Sequence, residues 1–120
     1  MGVTNIEHSA RTVALLMNDG AKTGQVNICK VNTGSYIYEA YMRIYGGNNK
    51  DVYVIKKNNK NQEVARTSVM IAYGTAVCVN KSGNITIPVS VQKKLCEFDR
   101  ALTLCIIDIN RTERYLKGLS

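Results

Sequence analysis

The sequence predicts a mainly β fold, antiparallel hairpins with one or two short helices. Three observations carry it. Gly, Asn and Lys punctuate the chain, and segments rich in Val, Ile and Tyr lie between them, the pattern of strands joined by short turns. The run Leu104-Cys105-Ile106-Ile107 is continuously apolar, as a strand buried on both faces would be. With 120 residues, 45% of them hydrophobic, the chain is long enough for one compact domain with its own core.

Taken in order, residues 12–17 form a short apolar run that ends at the turn signal Asn18-Asp19-Gly20. The polar stretch before it, including His8, the only histidine, reads as a frayed terminus. Residues 25–31 alternate, with Val26 and Ile28 on one face, and stop at Asn32-Thr33-Gly34. Residues 35–45 fit a strand with Tyr36, Tyr38, Ala40, Met42 and Ile44 on one face. They also fit a helix with Ile37, Ala40, Tyr41, Ile44 and Tyr45 on one stripe. The Tyr/Ile content and the following Gly46-Gly47-Asn48-Asn49 favour a strand that turns into a second one at 52–57.

Beyond the polar loop Lys56-Lys57-Asn58-Asn59-Lys60-Asn61-Gln62, residues 64–73 and 75–79 read as extended, with Gly74 marking a bend. A turn at Asn80-Lys81-Ser82-Gly83 leads into a strand at 84–87 that ends at Pro88. Residues 90–96 suit a short helical turn with Val91 and Leu95 inward. Residues 102–109 are expected as a central strand, and 110–120 as a basic tail of one or two helical turns anchored by Tyr115 and Leu116. The one seam in this single domain is near residue 74, between a β-rich 1–73 and the hairpin of 74–110.

Catalytic and metal chemistry find little support. Cys29, Cys78, Cys96 and Cys105 lie among apolar neighbours and lack the close pairs that converge on one tetrahedral ion, so they read as buried reduced thiols. His8 has no cysteine or serine partner at a telling spacing, and Glu39, Asp99 and Asp108 are scattered acids. No enzyme activity, metal or cofactor is expected. The first residues have neither the basic nor the apolar region of a signal peptide, and no apolar run approaches the ~20 residues that span a bilayer. A soluble, cytoplasmic protein with no membrane partner is the expectation.

One stretch resembles a known family. Residues 79–95, Val-Asn-Lys-Ser-Gly-Asn-Ile-Thr-Ile-Pro-Val-Ser-Val-Gln-Lys-Lys-Leu, followed by the apolar 102–109, resemble the AbrB/MazE-type swapped-hairpin domain over roughly residues 74–108. That pattern is a strand, a glycine turn, an apolar strand closed by Pro, a short helical turn and a last strand. The resemblance implies a C-terminal half that exchanges hairpins with a second copy into a β-barrel dimer, and DNA binding through basic residues on the exposed face of that dimer. On the matching positions the contacts would fall to Lys81, Asn84, Gln92, Lys93 and Lys94. Asn84 stands where the family usually has Arg, so phosphate contacts rather than base reading are implied.

The charge agrees in part. The formal net charge is +7; residues 1–49 hold 4 basic and 3 acidic side chains, residues 50–120 hold 12 and 6. A secondary basic patch is expected from Lys56, Lys57 and Lys60 with Arg111 and Arg114. Lys117 extends it, and Tyr53, Tyr73 and Tyr115 are interleaved as stacking surfaces. The expected function is a small DNA-binding regulator, or antitoxin-like protein, acting as a homodimer or higher homo-oligomer on DNA or another polyanion. The alternative is a phage- or plasmid-type inhibitor. It would present Tyr36, Tyr38, Tyr41 and Tyr45 to an acidic protein partner or sequester an anionic, nucleotide-like ligand. A binder of single-stranded nucleic acid is a third reading.

Overall fold

Ile6, Ala10, Val13 and Ala14 recur three and four residues apart, the spacing that lines one face of a helix, and they are the buried residues of α1 (Asn5–Asn18). The computed structural model describes residues 5–19, 22–46, 49–72, 75–78 and 86–118, with the backbone alone for 72, 75, 77, 78 and 113–117. Residues 12–17 are therefore the second half of a helix, and His8 sits exposed on its first half rather than in a frayed end. Leu15 is exposed on the outer side of α1.

Among the described residues five strands follow: β1 (Gly24–Asn32), β2 (Ile37–Gly46), β3 (Asn49–Lys57), β4 (Glu63–Ala72) and β5 (Thr75–Cys78). They form one sheet in the order of the chain, every neighbour antiparallel. The segment at 35–45 is a strand, in the register that puts Tyr38, Ala40, Met42 and Ile44 together on the buried side. Its turns are built by side chains. Gly34 N–H donates to Asn32 Oδ1 at 2.8 Å, and Gly34 takes φ 94°, a region where a Cβ is strained. Between β3 and β4, Asn58 Oδ1 accepts from the backbone N–H of Lys60 and Gln62, and Asn61 takes φ 63°. The asparagines of this Lys-rich loop are its turn chemistry.

The bulge in β1 between Asn27 and Cys29 lets Ile28 and Cys29 both be buried. Asn27 Nδ2 bridges it by donating to the carbonyls of Cys29 and Ala40, and Ser9 of α1 donates to the Asn27 carbonyl at 2.8 Å.

The C-terminal part is α2 (Val89–Gly118), 30 residues without a break. Pro88 starts it: the Pro88 carbonyl accepts from the N–H of Val91 and of Gln92, each at 3.0 Å. Val91, Leu95, Phe98 and Leu102 are buried, and Cys105, Ile106 and Ile109 continue the same stripe half-buried. This corrects three expectations. Residues 90–96 are the beginning of a long helix, not a lone turn. Residues 102–109 are helical, with Leu104 63% exposed, so they are no central strand. Residues 110–118 prolong the helix rather than forming a separate tail. The physical reason is that apolar spacing of three and four, unbroken by Gly or Pro from 89 to 117, outweighs the β-branched look of Leu-Cys-Ile-Ile.

Helix and strand are thus nearly balanced around an antiparallel sheet. Both helices lie on one side of it. The core joins Val13 of α1 and Leu95 and Phe98 of α2 to Ala40, Met42, Ile44, Val52 and Val54 of the sheet. Among the described residues no helix is long and apolar enough to cross a membrane.

Candidate nucleic-acid interface

Because side chains alternate along a strand, the residues between the core positions of β2, β3 and β4 point to the other side of the sheet, which neither helix covers. On β2 these are Glu39, Tyr41, Arg43 and Tyr45; on β3, Asp51, Tyr53, Ile55 and Lys57; on β4, Arg66 and Ser68. Pairing sets Tyr41 opposite Tyr53 and Tyr53 opposite Ser68, with Arg66 on the diagonal.

The centre of this face is an aromatic and guanidinium cluster. The Tyr41 and Tyr53 rings stack with centroids 5.4 Å apart and planes 20° from parallel. The Arg43 guanidinium carbon lies 5.1 Å from the Tyr53 ring centre and 6.0 Å from that of Tyr45, and the Arg66 carbon lies 5.0 Å from Tyr53. Tyr53 is buried, yet it lies outside the aliphatic core; Tyr41 and the two arginines surround it. Arg43, Asp51, Tyr53, Arg66 and Ser68 line a shallow cleft of about 330 Å³.

Two guanidiniums, Arg43 and Arg66, and two carboxylates, Asp51 and Glu63, meet at that cleft, so their formal charges balance and what distinguishes them is how each is engaged. Glu63 accepts two hydrogen bonds from Arg66, at 2.8 and 3.1 Å, which hold that guanidinium protonated despite the like charge of Arg43. Tyr45 donates to Asp51 at 2.7 Å. Among the described residues Arg43 forms no ion pair; its guanidinium donates to the Tyr45 hydroxyl at 3.4 Å and also engages Tyr53.

Beside the cluster, Glu39 is buried on the uncovered face. Tyr41 Oη donates to Glu39 Oε1 at 2.7 Å, Lys57 Nζ lies 3.1 Å from the same oxygen, and Lys30 Nζ lies 3.9 Å from Oε2. Burial pushes the carboxyl upward, but the Tyr41 and Lys57 hydrogen bonds with the two lysine charges outweigh it and hold Glu39 below the usual carboxylate range. Tyr41 moves the other way. Burial first, then the hydrogen bond to Glu39 and its charge, push the phenol up to about 12.

The residues expected to bind nucleic acid are dispersed by the fold. Lys81 and Asn84 lie outside the described residues, as do Gly74 and Tyr73. Gln92 is structural in its geometry, since its Nε2 donates to the Ile87 carbonyl at 2.9 Å beside the start of α2. Lys93 is exposed on α2, and Lys94 is half-buried on the side turned to Cys29 of β1. Both belong to the helical layer, opposite the arginine cluster.

The secondary patch divides as well. Lys56 sits 3.9 Å from the Tyr36 ring centre, Lys57 turns to Glu39, and exposed Lys60 borders a cleft of about 620 Å³ at the turn end of the sheet. Arg111 is exposed on α2, some 18 residues beyond Lys93 and so about 27 Å along the helix axis. The side chains of Arg114, Tyr115 and Lys117 are not described. The four tyrosines of 36–45 also part company: Tyr38 is buried against the helices, Tyr41 and Tyr45 are on the open face, and Tyr36 is at the turn end.

Arg43 and Arg66 are the site residues that sequence reasoning passed over. The signal was the alternation Tyr41, Arg43, Tyr45 on a strand whose hairpin partner brings Tyr53 alongside. Compared with known proteins, the chain matches no family model, and no curated protein or solved structure is significantly similar to it.

Proposed function

We propose that this protein binds nucleic acid, DNA in the first instance, through phosphate contacts made by Arg43 and Arg66 on the uncovered sheet face. The observation that carries the reading is the pair of guanidiniums held over Tyr53 at the rim of one cleft, one of them without a carboxylate partner among the described residues. Guanidiniums suit phosphate oxygens because their planar fork offers two parallel donors, and the +7 charge of the chain favours a polyanion at long range. A regulator or antitoxin-like role is the biological setting in which such binding would act.

Homodimerisation rests on the resemblance of 74–108 to the swapped-hairpin family; a barrel of that kind would have to accommodate a helix over 102–109. Light scattering separates monomer from dimer. For binding, fluorescence anisotropy with labelled DNA across a salt series is the test. Affinity should fall steeply with salt and be lost in the double variant Arg43→Glu, Arg66→Glu. Binding that ignores both salt and charge reversal would refute the reading. The cleft volume, about 330 Å³, also favours a second reading, an anionic nucleotide-sized ligand taken up by a non-enzymatic binding module. A mononucleotide that saturates the protein and displaces DNA would select it.

A further inference from the structure

Resting on the phosphate-binding reading above, we infer that the occupant of the open sheet face is single-stranded DNA, whose bases stack on Tyr45 and on the guanidinium planes set around the buried Tyr53 while its phosphates meet the two guanidiniums. Shape comes first. Five strands at about 4.8 Å spacing make a surface about 19 Å across, whereas a duplex major groove is about 12 Å wide and admits a helix or a two-stranded ribbon. The face as a whole cannot enter that groove, and its central groups, on β2, β3 and β4, would meet only the outer backbone of a duplex. An unpaired strand can lie across it.

Chemistry points the same way. The cluster alternates aromatic and guanidinium planes: Arg43 is 6.0 Å from Tyr45 and 5.1 Å from Tyr53, and Arg66 is 5.0 Å from Tyr53. Both kinds of plane stack on bases, and a base offers its π-face only when unpaired from its own neighbours. A face evolved for duplex phosphates alone needs the charges but has no use for rings between them. Access is present where stacking needs it, with Tyr45 50% exposed and Arg66 exposed. Tyr53, 7% exposed, lies beneath both guanidiniums, whose central carbons are 5.1 and 5.0 Å from its ring centre. Of the groups here able to recognise a ribose 2′-hydroxyl, the carboxylates Asp51 and Glu63 are already engaged by Tyr45 and Arg66, which leaves the Ser68 hydroxyl, and the oligouridylate arm below tests it.

The experiment compares a labelled oligothymidylate of about 20 nucleotides, the same length of oligouridylate and a duplex of that length, at one low salt concentration. The full chain is used throughout. The expected result is single-stranded DNA bound about tenfold or more tightly than duplex, weakened about tenfold by Tyr45→Ala and by Arg66→Ala, and restored by Tyr45→Phe, which keeps the ring. Tyr45 and Arg66 are exposed, so these variants should fold, which circular dichroism verifies. Equal affinity for strand and duplex, both lost on Arg43→Glu with Arg66→Glu, would overturn the single-strand inference while leaving phosphate binding in place. No binding of either would remove both. Single-strand binding that survives every change on this face but fails in Lys93→Glu, Lys94→Glu overturns the site, and markedly tighter binding of oligouridylate overturns the DNA assignment.

Discussion

The two faces of the sheet are made by the same strands, residue by alternate residue, and they differ in kind. On one, Ala40, Met42, Ile44, Val52 and Val54 meet Val13, Leu95 and Phe98 in an aliphatic core. On the other, Glu39 and Tyr53 are buried with no helix above them, held by hydrogen bonds and ring contacts among their own neighbours. The first face gains stability by removing apolar area from water, and the Thr67 hydroxyl buried there is satisfied by donating to the Ser68 carbonyl at 3.2 Å. The second keeps charges and rings in fixed places, with Glu39 and Tyr53 closed off beneath their neighbours and Tyr45 and Arg66 left open to solvent. The fold is carried by one side and recognition is available on the other.

If that division is right, Phe98→Ala should be the most damaging change. Phe98 is fully buried between α2 and the sheet, and a loss of about 3–5 kcal/mol is expected in urea unfolding, enough to threaten the fold. A loss under about 1 kcal/mol there would mean that α2 does not hold the sheet.

Glu39→Gln comes next, at about 2 kcal/mol, because it removes a charge-assisted hydrogen bond from a buried site. Its sign with pH is definite. A carboxyl whose folded pKa lies below its unfolded value stabilises the fold above about 4.5, and that contribution is lost as pH falls through the lower folded value. Glu63 shares the direction, so the difference between the wild type and the Gln variant below pH 4.5 isolates Glu39.

Tyr41→Phe is milder at neutral pH, about 1 kcal/mol for one hydrogen bond. The raised phenol of the wild type contributes stability below the ordinary tyrosine value near 10 that disappears as pH rises through about 12. Ultraviolet titration should show a phenol ionising near 12 in the wild type that is missing from the variant. Arg43→Ala closes the series: within about 0.5 kcal/mol of wild type in stability, while its affinity for DNA drops. An Arg43 variant as unstable as Phe98→Ala would erase the distinction between the faces.

The sheet was more legible than the helices. Strands β1 to β4 announce themselves because period-two patterning runs between turns whose Asn and Gly have a specific backbone task, as Asn58 and Gly34 do. The helices were obscured by local composition. Leu-Cys-Ile-Ile at 104–107 looks like a buried strand within four residues, and only the longer series 91, 95, 98, 102, 105 and 109 reveals a helix whose apolar stripe turns with it. In α1, small Ala10 and Ala14 take core positions that a search for bulky residues overlooks. Net charge misled in a similar manner. Lysines dominate the count, but the cluster at the cleft uses two arginines, and one of them lies in the half of the chain where charge nearly cancels. Counting charge along the chain does not reveal which charges a sheet will gather onto one side.

The position of α2 after all five strands has a consequence for synthesis. A meander of consecutive hairpins can pair as it leaves the ribosome, since each strand's partner is already present. Its greasy side, however, waits for Leu95 and Phe98, which are encoded after the last strand. Through that interval the nascent sheet is a half-clad ribbon, sheltered among the described residues by α1 alone, and its hazard is another nascent copy at the same stage. The long helix is therefore also the step that ends the vulnerable phase of this chain's life.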